Sequence, residues 1–240
     1  IEAYVGALSV AGTAGIGGSV VVNQLKNDVD AYIASDATVR ARGVGAGIAI
    51  LDWTHNQAGT ETTETITGLA VIASSEQEID VIAVAGGASG LVGIGANVVV
   101  NRVTGNTRAY ISDSQINESS NRGKAVKVKA HSDTDISSKG GAVGIGIGGA
   151  GVAAAVDTNF IDNTTKAYIW DDRGTDLDAV YAGGGVEVSA FSREHVLSAT
   201  IGIGAGLYAG VAGAAAVVKS DSITDAYIQD AKVDTTGSAG

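Results

Sequence analysis

Apolar and polar residues alternate with a period of two in three related segments: "LAVIASSEQEI" (69–79), "VKVKAHSDTDI" (126–136) and "VEVSAFSREHV" (186–196). Their shared form is apolar-x-apolar-x-Ala-x-Ser-x-x-x-apolar. Such alternation sends every second side chain to one side and predicts strands with one buried face. A second motif, a charge followed by Ala-Tyr-Ile, ends at Ile33, Ile111, Ile169 and Ile228. Upstream of each lies a Gly/Ala/Val run: "AGIGGSVVV", "GLVGIGANVVV", "GIGGAGVAAAV" and "GVAGAAAVV". Ala and Ile of the triplet are expected to point inward. The preceding charge (Asp30, Arg108, Lys166 or Asp225) and the tyrosine (Tyr32, Tyr110, Tyr168 or Tyr227) are expected to face water.

The spacings point to a repeating coil. The interval is 38 from Ala73 to Ile111, 39 from Ala130 to Ile169 and 38 from Ala190 to Ile228. It is 19 from Ile111 to Ala130, 21 from Ile169 to Ala190 and 40 from Ile33 to Ala73. Each interval is close to one or two times 20. This predicts an all-β chain, a right-handed parallel β-helix (β-solenoid) of about 20 residues per rung. The first repeat then carries one extra rung. About 12 rungs would make a rod roughly 60 Å long at the usual strand spacing. Tyrosines three or four rungs apart would be too distant to stack, each covering its neighbouring rung with the hydroxyl kept wet.

In "GIGIG" (144–148) isoleucine and glycine alternate. With isoleucine in the core, the outer positions would be bare backbone. Such a flat face either eases the corners of the coil or lets another rod, domain or subunit approach closely, which makes self-association through Gly/Ala-rich faces an expectation.

Composition supports strands. The apolar 45% is mainly Val, Ile and Ala, and 35 glycines would interrupt long helices. Residues 1–240 are read as one solenoid segment excerpted from a longer, processed polypeptide, because the chain has no methionine and starts at Ile1. Without cysteine there is no disulfide framework and no thiolate metal site. A net charge of −11 repels phosphate backbones and argues against nucleic-acid binding. The charge-free run 141–156 falls short of the roughly 20 residues that a transmembrane helix needs, so none is expected.

Candidate chemistry is sparse. The segment "LDWTHNQAGTETTETITG" (51–68) is the least repetitive, and Trp53, His55 and Asn56 are its candidate binding contacts, beside the reading of a plain excursion from the coil. "WDDRGTDLD" (170–178) gathers Asp171, Asp172, Asp176 and Asp178 as candidate calcium ligands, though the spacing misses the EF-hand loop. His131 and His195 fall on equivalent predicted strands and read as strand surface. No G-x-S-x-G elbow occurs, and a non-enzymatic role is expected. Paired carboxylates on a β-helix keep a carbohydrate-binding or carbohydrate-cleaving protein as the alternative. "NES" (117–119) and "NTT" (163–165) match the N-glycosylation acceptor pattern.

The cycle "VKVKAHSDTDI … GIGIGGAGVAAAVDTNFIDNTTKAYI" resembles the repeats of large bacterial filamentous adhesins of the leukotoxin and filamentous-haemagglutinin type, over essentially the whole chain. The resemblance implies secretion to the bacterial cell surface, a β-helical shaft, and attachment to host cells or neighbouring bacteria. It implies no catalytic residues and no cofactor.

Overall fold

The structure, a computed structural model, describes residues 1–52, 62–172 and 179–235. The chain climbs along β1 (Glu2–Ala11), turns back along β2 (Ala14–Ile33) and crosses a short base in β3 (Thr38–Val39). A hairpin of β4 (Ile48–Asp52) and β5 (Thr62–Ile66) follows. The second turn is β6 (Gly68–Ser89), β7 (Val92–Ser112) and β8 (Gln115–Ile116). The third is β9 (Ala125–Gly146), β10 (Ala150–Trp170) and β11 (Ala179–Tyr181). The fourth is β12 (Val186–Gly206), β13 (Ala209–Ser220), β14 (Ile223–Gln229) and β15 (Lys232–Asp234).

Each strand of a turn pairs in parallel with its counterpart in the next. One sheet runs β1-β6-β9-β12, the second β2-β7-β10 and then β13 with β14, and the third β3-β8-β11-β15. The fold is therefore an all-β, parallel β-solenoid. The turn is longer than the sequence spacings imply. Asp30 lies beside Arg108, Gln77 beside Thr134 and Asp133 beside Arg193, offsets of 78, 57 and 60 along the chain. Four such turns replace the 12 expected short rungs. The spacing near 20 is the length of one face: β2 has 20 residues, β6 has 22 and β7 has 21. Such lengths are far beyond the usual five or six.

The additional stretch of the first repeat does not form a coil turn. It leaves as the hairpin, the only antiparallel strand pair among the described strands, and the path then resumes in register. Its β5 lies across the outside of the first sheet, where Glu64 accepts hydrogen bonds from Lys127 and Lys129 of β9.

In cross-section each turn is a wedge. At the wide base, Val126, Val128, Ala130, Ala167, Ile169 and Val180 fill the space between the two long sheets and the short third one. Farther in, a row of Gln77, Thr134 and Asn163 is linked by hydrogen bonds of 2.9 Å. Next comes a second apolar layer containing Ile79, Val81, Val99, Val103, Ile136 and Ile161. Near the apex the inward residues shrink to Ala142, Ala153 and Ala155, then to glycine. There the two sheets meet backbone to backbone, closer than the ~10 Å at which sheets carrying side chains pack. A Cβ on Gly144 would fall against the Val152 carbonyl, and one on Gly204 against the Val211 carbonyl, both inside the 3.0 Å limit of real Cβ contacts.

This reverses the expected phase of the glycine runs. Gly144 and Gly146 face inward, while Ile145 and Ile147 face out, 40% and 75% exposed. The strand inherits its phase from Val126, Val128 and Ile136, and nothing in its 22 residues resets it.

The triplets behave as expected in orientation. Ala109, Ile111, Ala167 and Ile169 are buried, and Tyr32, Tyr110, Tyr168 and Tyr227 stand outside. One full turn separates neighbouring tyrosines, so they do stack, contrary to the expectation from short rungs. Their ring centroids lie 5.1, 4.9 and 5.2 Å apart, with planes within 9° of parallel.

Candidate functional site

The outer surface of the second sheet carries the most ordered array of functional side chains. Parallel in-register pairing places like positions over one another, so each row becomes a ladder. Tyr32, Tyr110, Tyr168 and Tyr227 form one ladder, each stacked pair contributing about 0.5–1.5 kcal/mol. Burial within it pushes the Tyr110 and Tyr168 phenols above their ordinary pKa. Two residues earlier runs the ladder of charges. Arg108 donates to both carboxylate oxygens of Asp30 at 2.7 and 2.8 Å, and Lys166 lies 3.4 Å from Asp225. This explains why the residue before each triplet varies in sign yet is always charged: the signs run −, +, +, − up the stack and pair off. The inner rings, Tyr110 and Tyr168, have both faces covered by their neighbours and present edges and hydroxyls to solvent, which does not suit stacking on a sugar.

The first sheet's outer surface has comparable ladders. His131 stacks on Phe191 at 5.6 Å, and Arg193 forms a paired hydrogen bond with Asp133. Burial pushes His131 below its ordinary pKa, partly offset by the Asp133 charge. His195 lies 3.3 Å from Asp135 and is exposed. The two histidines sit on paired strands, β9 and β12, with His131 beside Phe191 and His195 beside Asp135.

The ion cluster under the hairpin has no counterpart among the sequence expectations. Lys129 occupies an outward position yet is only 2% exposed, because β5 covers it. Glu64 accepts from both Lys127 and Lys129, while Glu187 lies 2.8 Å from Lys127 and 3.1 Å from Lys129. Asp52 of β4 completes the group at 3.9 Å. Burial opposes charge on Glu64 and Glu187, but hydrogen bonds from the lysines outweigh it and hold both below the ordinary carboxylate value. Burial likewise opposes the Lys127 charge and is outweighed by Glu187 and Glu64, which raise it. Depressed carboxylates stabilise the folded form above their unfolded pKa of about 4.3 and lose that contribution as pH falls through the folded value. The raised lysine stabilises below about 10.4 and loses its contribution as pH rises through its folded value. The hairpin should therefore stay docked between these limits and loosen in acid. Glu64→Gln should weaken docking by about 1–2 kcal/mol, the scale of a charged hydrogen bond. Amide-exchange protection at 48–52 and 62–66 measures both; unchanged protection in Glu64→Gln would show that the cluster does not hold the hairpin.

The candidate residues are not brought into one site. Trp53, His55 and Asn56 lie outside the described residues, as do Asp176 and Asp178. Asp171 is buried at the corner after the triplet, and the Asp172 amide donates to the Asp113 carboxylate at 2.9 Å. These two aspartates act as corner residues, and among the described residues no group of three or more His, Asp or Glu is poised to hold a metal. Both glycosylation-pattern asparagines are buried. Asn117 accepts from the Ala41 amide and donates to the carbonyls of Arg122 and Tyr181, tying three turns together. Asn163 belongs to the inner polar row. At the base, Arg42, Arg122, Lys124 and the backbone of 119–123 line a cleft of about 590 Å³. Among the described residues no helix is long and apolar enough to cross a membrane. No protein family, curated protein or solved structure matches the chain.

Proposed function

We propose that the chain is a structural shaft segment of a secreted bacterial surface adhesin, mediating attachment or holding a distal binding site away from the cell. One observation carries this reading: every turn repeats the same three-sided path, and its long strands pair in parallel and in register with those of the next. A stack of this kind gains stability turn by turn and can be lengthened without changing its cross-section. Its outer ladders are internally paired, which suits a surface that bears load. The adhesin repeats that the sequence resembles are consistent with this role.

The alternative, carbohydrate binding, is favoured by the cationic basal cleft, which suits an acidic polysaccharide. A glycan array that includes acidic polysaccharides, probed with the full chain, separates the two. A blank array, and unchanged cell attachment by the parent protein carrying Trp53→Ala and His55→Ala, is the result expected of a shaft. Specific glycan capture abolished by Arg42→Ala with Lys124→Ala would replace the shaft reading with the carbohydrate one.

A further inference from the structure

We propose that the apex of the wedge is a lipid-seeking ridge that beds into the hydrocarbon of a zwitterionic phospholipid bilayer. The inference is independent of the shaft reading. It starts from the distribution of charge. Residues 3–22, 81–100, 140–156 and 196–218 contain no Asp, Glu, Lys or Arg. Each stretch brackets one apex turn, at 12–13, 90–91, 147–149 and 207–208, and the parallel register stacks the four together. Every described acidic and basic side chain thus lies toward the base, apart from Asp157, which points inward and is buried, and Lys139, which stands outward beside Ile82 and Ala199 at the lower margin of the ridge.

The ridge is apolar on both outer surfaces at once. In the two interior turns, Val84 and Ile145 stand outward on the first sheet, 47% and 40% exposed. On the second sheet Val98 and Val156 do the same, at 36% and 38%. At the tip, Leu91 and Ile147 project into solvent. Glycine fills the inner rows nearest the tip, where the sheets meet backbone to backbone, and farther in the Asn97 amide bridges them by donating to the Ala83 carbonyl at 2.5 Å.

Between successive turns the backbone of the tip is also hydrogen-bonded. The Gly90 amide donates to the Gly12 carbonyl at 3.1 Å, Ile147 to Ser89 at 3.0 Å and Gly148 to Gly90 at 2.7 Å. Ala150 donates to Leu91 at 2.9 Å and Tyr208 to Gly149 at 3.0 Å. Lipid-exposed backbone must find its partners within the protein, and turn-to-turn pairing meets that condition for the two interior turns, bends included, while the first and last turns each keep one open strand edge.

Geometry selects the occupant. A second copy docks on one flat face. Over four turns, the apolar part of either face covers roughly 500 Å², against the ~800 Å² per partner of a standard interface. Such a dimer would leave the other face and the tip in water. Hydrocarbon surrounds a convex edge and covers both faces together. The charge-free rise is roughly 20–26 Å along the strands, which fits inside a core ~30 Å thick. A net charge of −11 borne away from the ridge disfavours anionic headgroups and points to zwitterionic ones.

The chain lacks cysteine, so Ile147→Cys and Glu76→Cys give unique labelling sites at the tip and on the charged half. An environment-sensitive fluorophore on each, mixed with phosphatidylcholine vesicles containing doxyl-labelled lipid, reports burial. The expected result is flotation of the protein with the vesicles, with a blue shift and loss of most emission at 147 and no change at 76. Val98→Asp with Ile145→Asp, one on each face, should reduce flotation roughly tenfold or more while far-UV circular dichroism is retained. No flotation and no quenching at 147 by the folded chain would overturn the proposal. So would a blue shift at 147 without vesicles accompanied by a dimer in sedimentation, since a second copy would then cover the ridge.

Discussion

Gly144→Ala should lower the unfolding free energy by about 3–5 kcal/mol, in the range reserved for backbone clashes and overpacked cores. The added methyl has nowhere to go. It meets the carbonyl oxygen of Val152 on the facing strand, and backbone cannot rotate aside as a side chain can. Separating the sheets at this point would disturb Gly151, whose own Cβ position lies against Ala205 and Gly144. Gly141→Ala, three residues earlier, is the control. Its Cβ points outward and meets nothing nearer than Val84 at 3.8 Å, so the change should be neutral or mildly stabilising. Urea midpoints of the two variants measure the contrast. Equal midpoints would mean that the sheets do not touch at the apex.

This contrast also marks what could be read from the sequence. The landmark strands and the Ala-Tyr-Ile triplets show their faces correctly, because short alternating segments carry their phase in plain view. Extending that phase is the harder step. Ile136 faces inward, and Ile145 is nine residues on, an odd interval that puts it outside. Glycine reads locally as punctuation or bare outer surface, whereas its task here is close approach between sheets. The same ambiguity makes the turn look short: with no proline and with glycine inside the strands, no local signal shows a strand as long as β6 or β7. The full turn is present as the interval from one triplet to the next, 58 from Ile111 to Ile169 and 59 from Ile169 to Ile228. The ion cluster under the hairpin is illegible for another reason. Lys127, Lys129, Glu64 and Glu187 are distant in sequence, and only the fold-back of β5 brings them together.

The wedge places structural and interactive duties at opposite ends. Toward the base, ladders of charge and tyrosine pair with their own kind one turn away, which leaves little unpaired chemistry for a ligand. Toward the apex the outer rows are apolar and have no described partner strand over them. Any recognition by the stack itself therefore falls on hydrophobic contact at the ridge or on the loops at the base, and the two can be tested separately by the lipid and glycan experiments.

Asn101→Val should cost about 3 kcal/mol or more, and its cost should depend on the neighbours left behind. Asn101 is fully buried in the second long sheet. It accepts a hydrogen bond from Asn23 at 2.9 Å and donates one to Asn159 at 2.7 Å. Valine at 101 strands a donor on one side and an acceptor on the other, each losing about 1–3 kcal/mol when desolvated without a partner. Asn159→Val should be milder. Its amide nitrogen has no acceptor among the described residues, because the next turn offers Val218 at that position. Replacing Asn159 removes that buried orphan while creating one at Asn101. The triple change of Asn23, Asn101 and Asn159 to valine deletes the ladder as a unit, and the last turn already carries valine, Val218, at this place in the path. It should recover most of the stability lost in Asn101→Val, since removing both partners of a buried hydrogen bond is far cheaper than removing one. Denaturation midpoints of the three variants decide it: a triple variant less stable than Asn101→Val would mean that the asparagines stabilise the wedge individually and not through their ladder.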